Sequence, residues 1–212
     1  MATTAVLTAT GRALVTSAIN GTVTSPKAVA WGLNPGTLTA TAPDIGMYSE
    51  APEARTAGTS SLVTTTTAND TYQVVGTITC TQGGGETIAE VGLFDSTTKP
   101  QETTWATAPT STNGTTGTLT SGTGFASGYY AQDQSGEVME LTTISGTSVS
   151  AIVRGANGST AVTSANGNAV TRGAIPGGTA VTGGNGFMHA TFTGLALNLA
   201  DSIAFTCQVK FT

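Results

Sequence analysis

The sequence predicts an all-β fold: a β-sandwich, with a jelly roll among its variants, carrying a short N-terminal helix and an inserted small β domain. Three observations predict it. Charged residues make up only 9% of the 212 residues, against about 25% in an average soluble domain. Threonine occurs 45 times and glycine 28 times; β-branched side chains favour extended backbone, and glycine marks turns. Apolar residues alternate with period two in several segments bounded by Gly, Asn and Asp.

The same figures exclude several classes. A coiled coil needs a charged heptad alphabet that this chain lacks. A nucleic-acid binder needs a basic face, whereas the net charge is −5 and the pI about 4.6. Disorder driven by charge repulsion does not fit a chain that is 38% hydrophobic. No run approaches the ~18–20 apolar residues of a membrane span. No basic region precedes the first apolar stretch, and Arg12 interrupts it, so no secretory signal is read. Synthesis in a cytoplasm, with neither nucleic acid nor membrane as partner, is the expectation.

Along the chain, Leu14, Val15, Ala18 and Ile19 follow helical spacing, with Thr10 as N-cap and Asn20-Gly21 as stop. A strand follows at 27–32, then a Gly/Pro/Thr loop to about Pro52. Thr59–Thr67 is a β-branched run. Ala68-Asn69-Asp70 is a turn, and 71–81 sets Tyr72, Val74, Gly76, Ile78 and Cys80 on one face. After the Gly83-Gly84-Gly85 turn, 88–95 places Ile88, Glu90, Gly92 and Phe94 opposite Val91 and Leu93. Residues 101–118 and 171–186 read as featureless linkers. They flank a compact unit with strands at 138–144 and 147–154 around a Ser145-Gly146 turn. Strands at 186–193 and 202–212, joined by a turn at 198–201, close the host sheet. The predicted domains are 1–112 and 181–212 for the host and 113–180 for the insert.

Candidate chemistry is sparse. His189 is the one histidine, it lies in a strand-like run, and packing or hydrogen bonding is its expected role. Glu137 and Glu140 fall on opposite faces of a strand and do not form a carboxylate pair. Glu86, Glu90 and Asp95 surround a strand edge in an expected structural role. The triple glycine lacks the Lys-Ser/Thr of a phosphate loop, and the serines lack an activating base. Cys80 and Cys207 have neither CxxC spacing nor a companion His, so no zinc site is read. They are expected as buried free thiols, with neighbouring positions in one sheet as the alternative. No catalytic residue, cofactor or metal is predicted. Trp31, Trp105, Tyr129 and Tyr130 could offer stacking surface, and Tyr129 with Tyr130 is the one binding site suggested.

Two stretches carry a resemblance. The first runs through Glu53-Ala54-Arg55-Thr56-Ala57-Gly58 and Asn69-Asp70-Thr71-Tyr72. It continues in Glu90-Val91-Gly92-Leu93-Phe94-Asp95, then Ala190-Thr191-Phe192 and Asp201-Ser202-Ile203-Ala204-Phe205. It resembles a family of small tailed-bacteriophage virion proteins, tail-fibre-like or head decoration-like, in which the strand after "EVGLFD" runs directly to "ATF". About 90 residues intervene here, and His189 stands where a basic residue often precedes "ATF". The second comprises Gly136–Leu141, Ser145-Gly146-Thr147, Val153-Arg154-Gly155, Gly158-Ser159-Thr160 and Asn166–Val170. It is similar to a β module of phage virion proteins ending in an "RG–GT–H–G–V" pattern, with Ser164 at the histidine's place.

The resemblance implies a non-enzymatic virion protein, made in the host bacterial cytoplasm and placed on the virion exterior. Capsid decoration (cement) is the preferred role, with the major capsid protein and further copies of itself as partners. A homo-oligomer is expected, a trimer by analogy with proteins at threefold positions. A tail fibre or tail/baseplate adaptor, with a receptor- or host-surface-glycan-binding module, is the alternative.

Overall fold

The computed structural model describes residues 5–8, 11, 12, 15, 18, 25–33, 37–173 and 184–210. Within them the chain is all-β, and every strand pairing is antiparallel. The strands are β1 (Ala5–Leu7), β2 (Ala28–Leu33), β3 (Thr56–Ala57), β4 (Thr59–Val63), β5 (Thr71–Thr79), β6 (Glu86–Phe94) and β7 (Glu102–Thr107). Then follow β8 (Gly117–Leu119), β9 (Tyr129–Asp133), β10 (Val138–Ser145), β11 (Ser148–Val153), β12 (Ala169–Gly173), β13 (Gly186–Leu197) and β14 (Ser202–Lys210). A five-stranded sheet in the order β1-β13-β6-β2-β3 faces a three-stranded sheet in the order β14-β5-β4. Between β6 and β13 the chain builds a closed barrel, β10-β11-β8-β7-β12-β9.

The two host sheets bury one core. Val29 and Trp31 of β2, Val91 and Leu93 of β6, and Ala190 of β13 meet Val74 and Ile78 of β5 and Cys207 of β14. Trp31 stands edge-on to Phe205, ring centroids 6.3 Å apart. The larger sheet is buried on its other face as well, where Ala28, Ala30 and Phe94 pack with Met47 from the preceding loop. That is why β2 and β6 read as nearly continuous apolar runs rather than clean alternations. The loop approaches closely because Gly32 lacks a side chain: a Cβ there would lie 2.8 Å from the Ser49 carbonyl oxygen.

Several expectations shift. The β-branched run ends as a strand at Val63, because the Asp70 carboxylate accepts the N–H groups of Thr65, Thr66 and Thr67 and curls them into a turn. Ile88 joins Val91 and Leu93 in the core. A register shift between Gly32 and Leu33 sets Leu33 opposite Ile88 and Gly32 opposite Glu90, and such a bulge re-aims the side chains on one side of it. At the N-terminus, Gly11, Arg12, Val15 and Ala18 are helical. Thr8 performs the cap, its hydroxyl accepting the Gly11 N–H at 2.9 Å; Thr10, Leu14 and Ile19–Gly21 lie outside the described residues. The last strand ends at Lys210, and residues 211–212 also lie outside.

The stretch read as a linker over 101–118 carries β7 and the start of β8, so the barrel begins before residue 113. The one read over 171–186 carries the end of β12 and the start of β13. Trp105, Leu119, Met139, Leu141, Val149, Ile152 and Val170 fill the barrel. Residues 174–183, including the expected insert boundary at 180, lie outside the described residues.

Candidate functional site

The buried polar groups gather on the outer face of the larger sheet, where the loop over 37–53 and the barrel meet it. His189 on β13 and Glu90 on β6 lie on adjacent strands, Glu90 pairing in register with Thr191. His189 Nδ1 is 2.7 Å from Asp44 Oδ2, and its Nε2 is 2.9 Å from Glu90 Oε2. The ring is 1% exposed and both carboxylate residues 0%. Burial alone would disfavour the imidazolium, but hydrogen bonds to Asp44 and Glu90 outweigh it and raise the pKa to about 9. His189 is therefore a cation at neutral pH, held between two carboxylates, which agrees with the hydrogen-bonding role expected of it.

The surrounding groups complete the network. Glu90 accepts the N–H groups of Tyr48 at 2.8 Å and Ser49 at 3.1 Å. Asp44 accepts the Thr41 N–H and hydroxyl, both at 2.8 Å. The Tyr48 hydroxyl donates to the Thr39 carbonyl and Asp44, and its ring stands edge-on to His189 at 4.9 Å. Burial and the Asp44 charge push the Tyr48 phenol above its ordinary range. From the barrel, Gln132 reaches across. Its Oε1 accepts the Ile45 and Gly46 N–H groups, each at 3.2 Å, and its Nε2 donates to Asp44. Gly173 on β12 permits the approach, since a Cβ there would overlap the Ile45 side chain. Each ring nitrogen and carboxylate here has a partner, so the arrangement locks loop, sheet and barrel together.

Two ionic sites do similar work nearby. Arg55 makes a two-pronged pair with Glu50, at 2.8 and 2.9 Å, while its guanidinium lies 3.5 Å from the centroid of Phe94. Glu137 binds Arg154 at 2.8 and 2.6 Å and accepts the N–H groups of Gly155 and Val162. Arg154 also donates to the carbonyls of Ser111 and Gly114. The Arg-Gly of the second resemblance thus ties three barrel loops together. Ser164, at the histidine's place, is buried with its hydroxyl unpartnered among the described residues.

A third cluster lies at the other end of β6. Glu53 accepts the Trp31 indole N–H at 3.3 Å, the Thr81 N–H and hydroxyl, and the Gln82 amide. Burial opposes its charge, but the bonds from Gln82 and Thr81 prevail and lower its pKa to about 2. Glu86 is pushed up by burial and by the Glu53 charge, and both its carboxyl oxygens lie buried without a hydrogen-bond partner among the described residues. Glu53, Cys80 and Glu86 bring their oxygen and sulfur atoms within 4.8 Å of one another. Among the described residues they are the set with metal-ligand chemistry.

The proposed stacking residues separate. Trp31 and Trp105 are each 1% exposed; Trp105 fills the barrel and donates to Asp133 at 2.7 Å. Tyr129 and Tyr130 are half-buried neighbours on β9, so they point to opposite faces of the barrel wall. Tyr129 lies under the Arg172 guanidinium at 4.8 Å. They do not share a platform. Cys80 and Cys207 are buried and free, as expected. Cys207 pairs with Val74 whereas Cys80 follows the end of β5, which separates them by roughly 20 Å at about 3.3 Å per residue.

Asp44, Tyr48 and Gln132 are the members of the central network that the sequence did not single out. The available signal was a polar pair, Glu90 and His189, on strands otherwise buried. Compared with known proteins, the chain matches no family model, no curated protein and no solved structure.

Proposed function

We propose that the protein is a non-enzymatic bacteriophage virion structural protein that decorates the outer capsid surface, binding the major capsid protein as a homo-oligomer. The observation that carries this reading is where the charges sit. Asp44, Glu53, Arg55, Glu90, Asp133, Glu137 and His189 are all buried. A chain already poor in charge thus presents a surface poorer still, made of Thr, Ser, Gln and scattered apolar residues. Such a surface loses little solvation when packed against neighbours, because interface cores are depleted of charged groups. The resemblance in the host strands and in the Arg154-Gly155 module supports the same reading.

Quantitative mass spectrometry of purified particles tests it. A stoichiometry comparable with that of the major capsid protein is expected, and a handful of copies per particle would overturn it. One observation favours the second reading, a tail fibre or adaptor with a glycan-binding module. A groove of about 520 Å³ on the barrel is lined by the hydroxyl-bearing Thr120, Ser121, Thr123, Ser127 and Thr147. Low copy number, with host adsorption lost on deleting the barrel, would favour that reading.

A further inference from the structure

We infer that β14 is a self-association edge, pairing antiparallel with β14 of a second copy about a two-fold axis at Thr206 to make a continuous six-stranded sheet. The strand spans nine residues in unbroken register with β5, from Ser202 opposite Thr79 to Lys210 opposite Thr71. Among the described residues β5 is its sole sheet neighbour. Monomeric proteins blunt such edges with bulges, prolines, charges or short strands. β14 has no bulge and no proline, and its one charge is Lys210 at the end.

The open side of β14 also borders an incomplete core. Ile203, Phe205 and Val209 face the sandwich but are only partly buried. Beside them a groove of about 480 Å³ runs between the two sheets, lined by Met188, Phe192, Leu195, Phe205 and Cys207. A register irregularity between Thr191 and Leu195 accompanies it, with Phe192 set 6.5 Å from Phe205 between ring centroids. The three-stranded sheet is too narrow to cover the five-stranded one on this side.

A second copy fits for reasons of register and charge. The Cys80 N–H bonds the Asp201 carbonyl. By the alternation of an antiparallel ladder, the odd-numbered residues of β14 bond β5, and Ala204, Thr206 and Gln208 turn their backbone groups to the open side. A two-fold axis at Thr206 sets Thr206 against Thr206 and Ala204 against Gln208, so every outward group meets a partner. The same register pairs Ile203 with Val209 and Phe205 with Cys207 across the axis, extending the apolar inner face over the groove. The two Lys210 side chains fall at opposite ends, each opposite Ser202 and one residue from Asp201 of the second copy. The full overlap of nine residues occurs only with the axis at Thr206. The inference rests on the homo-oligomer of the preceding reading and names its contact, but not on the virion assignment.

Light scattering on the full chain during size exclusion, over a range of concentrations, tests it. A particle of about twice 21.0 kDa is expected. Thr206→Pro removes an outward N–H without touching the β5 ladder, and Ala204→Lys adds an edge charge; each should halve the mass with circular dichroism unchanged. Thr206→Cys should form an intermolecular disulfide on mild oxidation, since directly opposed residues of a hydrogen-bonded pair lie about 5.5 Å apart. A monomer at every concentration, or an assembly of odd order such as a trimer, would overturn the inference. So would a dimer that survives both edge variants while the Thr206→Cys chain yields no intermolecular disulfide. A trimer that still occupies particles in high copy would leave the decoration reading standing and remove this one.

Discussion

The imidazole of His189 on β13 and the carboxylate of Asp44 in the loop over 37–53 meet at 2.7 Å, although 145 residues separate them in the chain. With Glu90 on the second ring nitrogen, this contact fixes the loop onto the sheet, and Gln132 extends it to the barrel.

Stability should therefore fall as pH rises. The folded pKa of His189 is raised from 6.5 to about 9, so its contribution is complete below about 6.5 and is lost as pH climbs through 9. The shift corresponds to roughly 3 kcal/mol, at about 1.4 kcal/mol for each tenfold change in proton affinity. Urea midpoints measured from about pH 6 to about pH 10 should decline across that window, and His189→Gln should start lower and lose the slope. NMR of the single imidazole reads the same titration directly. A ring that titrates near 6.5 would refute the arrangement.

Gln132 joins the barrel to the host through the Ile45 and Gly46 N–H groups and Asp44. Gln132→Ala leaves these buried groups unpaired, which costs about 1–3 kcal/mol. The two units should then unfold less cooperatively. Each unit holds one tryptophan, Trp31 in the sandwich and Trp105 in the barrel. Single-tryptophan variants (Trp31→Phe or Trp105→Phe) should show coincident transitions with Gln132 present and separate ones without it.

How much of this was legible in the sequence depends on how many side chains each element buries. β5 and the turn at 198–201 follow from alternation and from Asn198 and Asp201, whose backbone and side chains close the turn. β7, read as linker, buries only Thr103 and Trp105 in six residues. A small closed barrel of short strands presents too few inward positions for a periodic signal, and its threonines suit loop and strand alike. The central network was illegible for a different reason. Asp44 sits in a Gly/Pro/Thr loop with no periodicity, and its partners come from the far end of the chain and from the insert. A lone histidine and a lone glutamate on buried strands could be noticed, but their partners could not be named.

In the barrel, Arg154→Met should be among the most damaging single changes. Glu137 is 1% exposed and would lose its ionic partner with the guanidinium gone. Breaking a buried pair from one side costs about 3–5 kcal/mol. In a Gln132→Ala background, where the two transitions separate, the loss should appear in that of Trp105 and not in that of Trp31. Glu137→Gln with Arg154→Met should recover part of it, because the unpaired charge is then removed as well; no recovery would contradict the pairing.

The Glu53–Glu86 pair makes the opposite prediction for two chemically identical residues. Glu86 is pushed up by burial and by its neighbour's charge, and its buried carboxyl oxygens have no hydrogen-bond partner among the described residues to lose. Glu86→Gln should leave the urea midpoint unchanged or raise it slightly. Glu53→Gln instead replaces an acceptor bound by the Trp31 indole, Thr81 and Gln82, and should cost about 1–3 kcal/mol. Acid behaves accordingly: the Glu53 contribution is present above about 4.5 and is lost as pH falls through about 2. Trp31 fluorescence in a Trp105→Phe background follows both changes, since its indole nitrogen touches the carboxylate in question. Equal destabilisation by the two substitutions would contradict this difference between the two carboxyls.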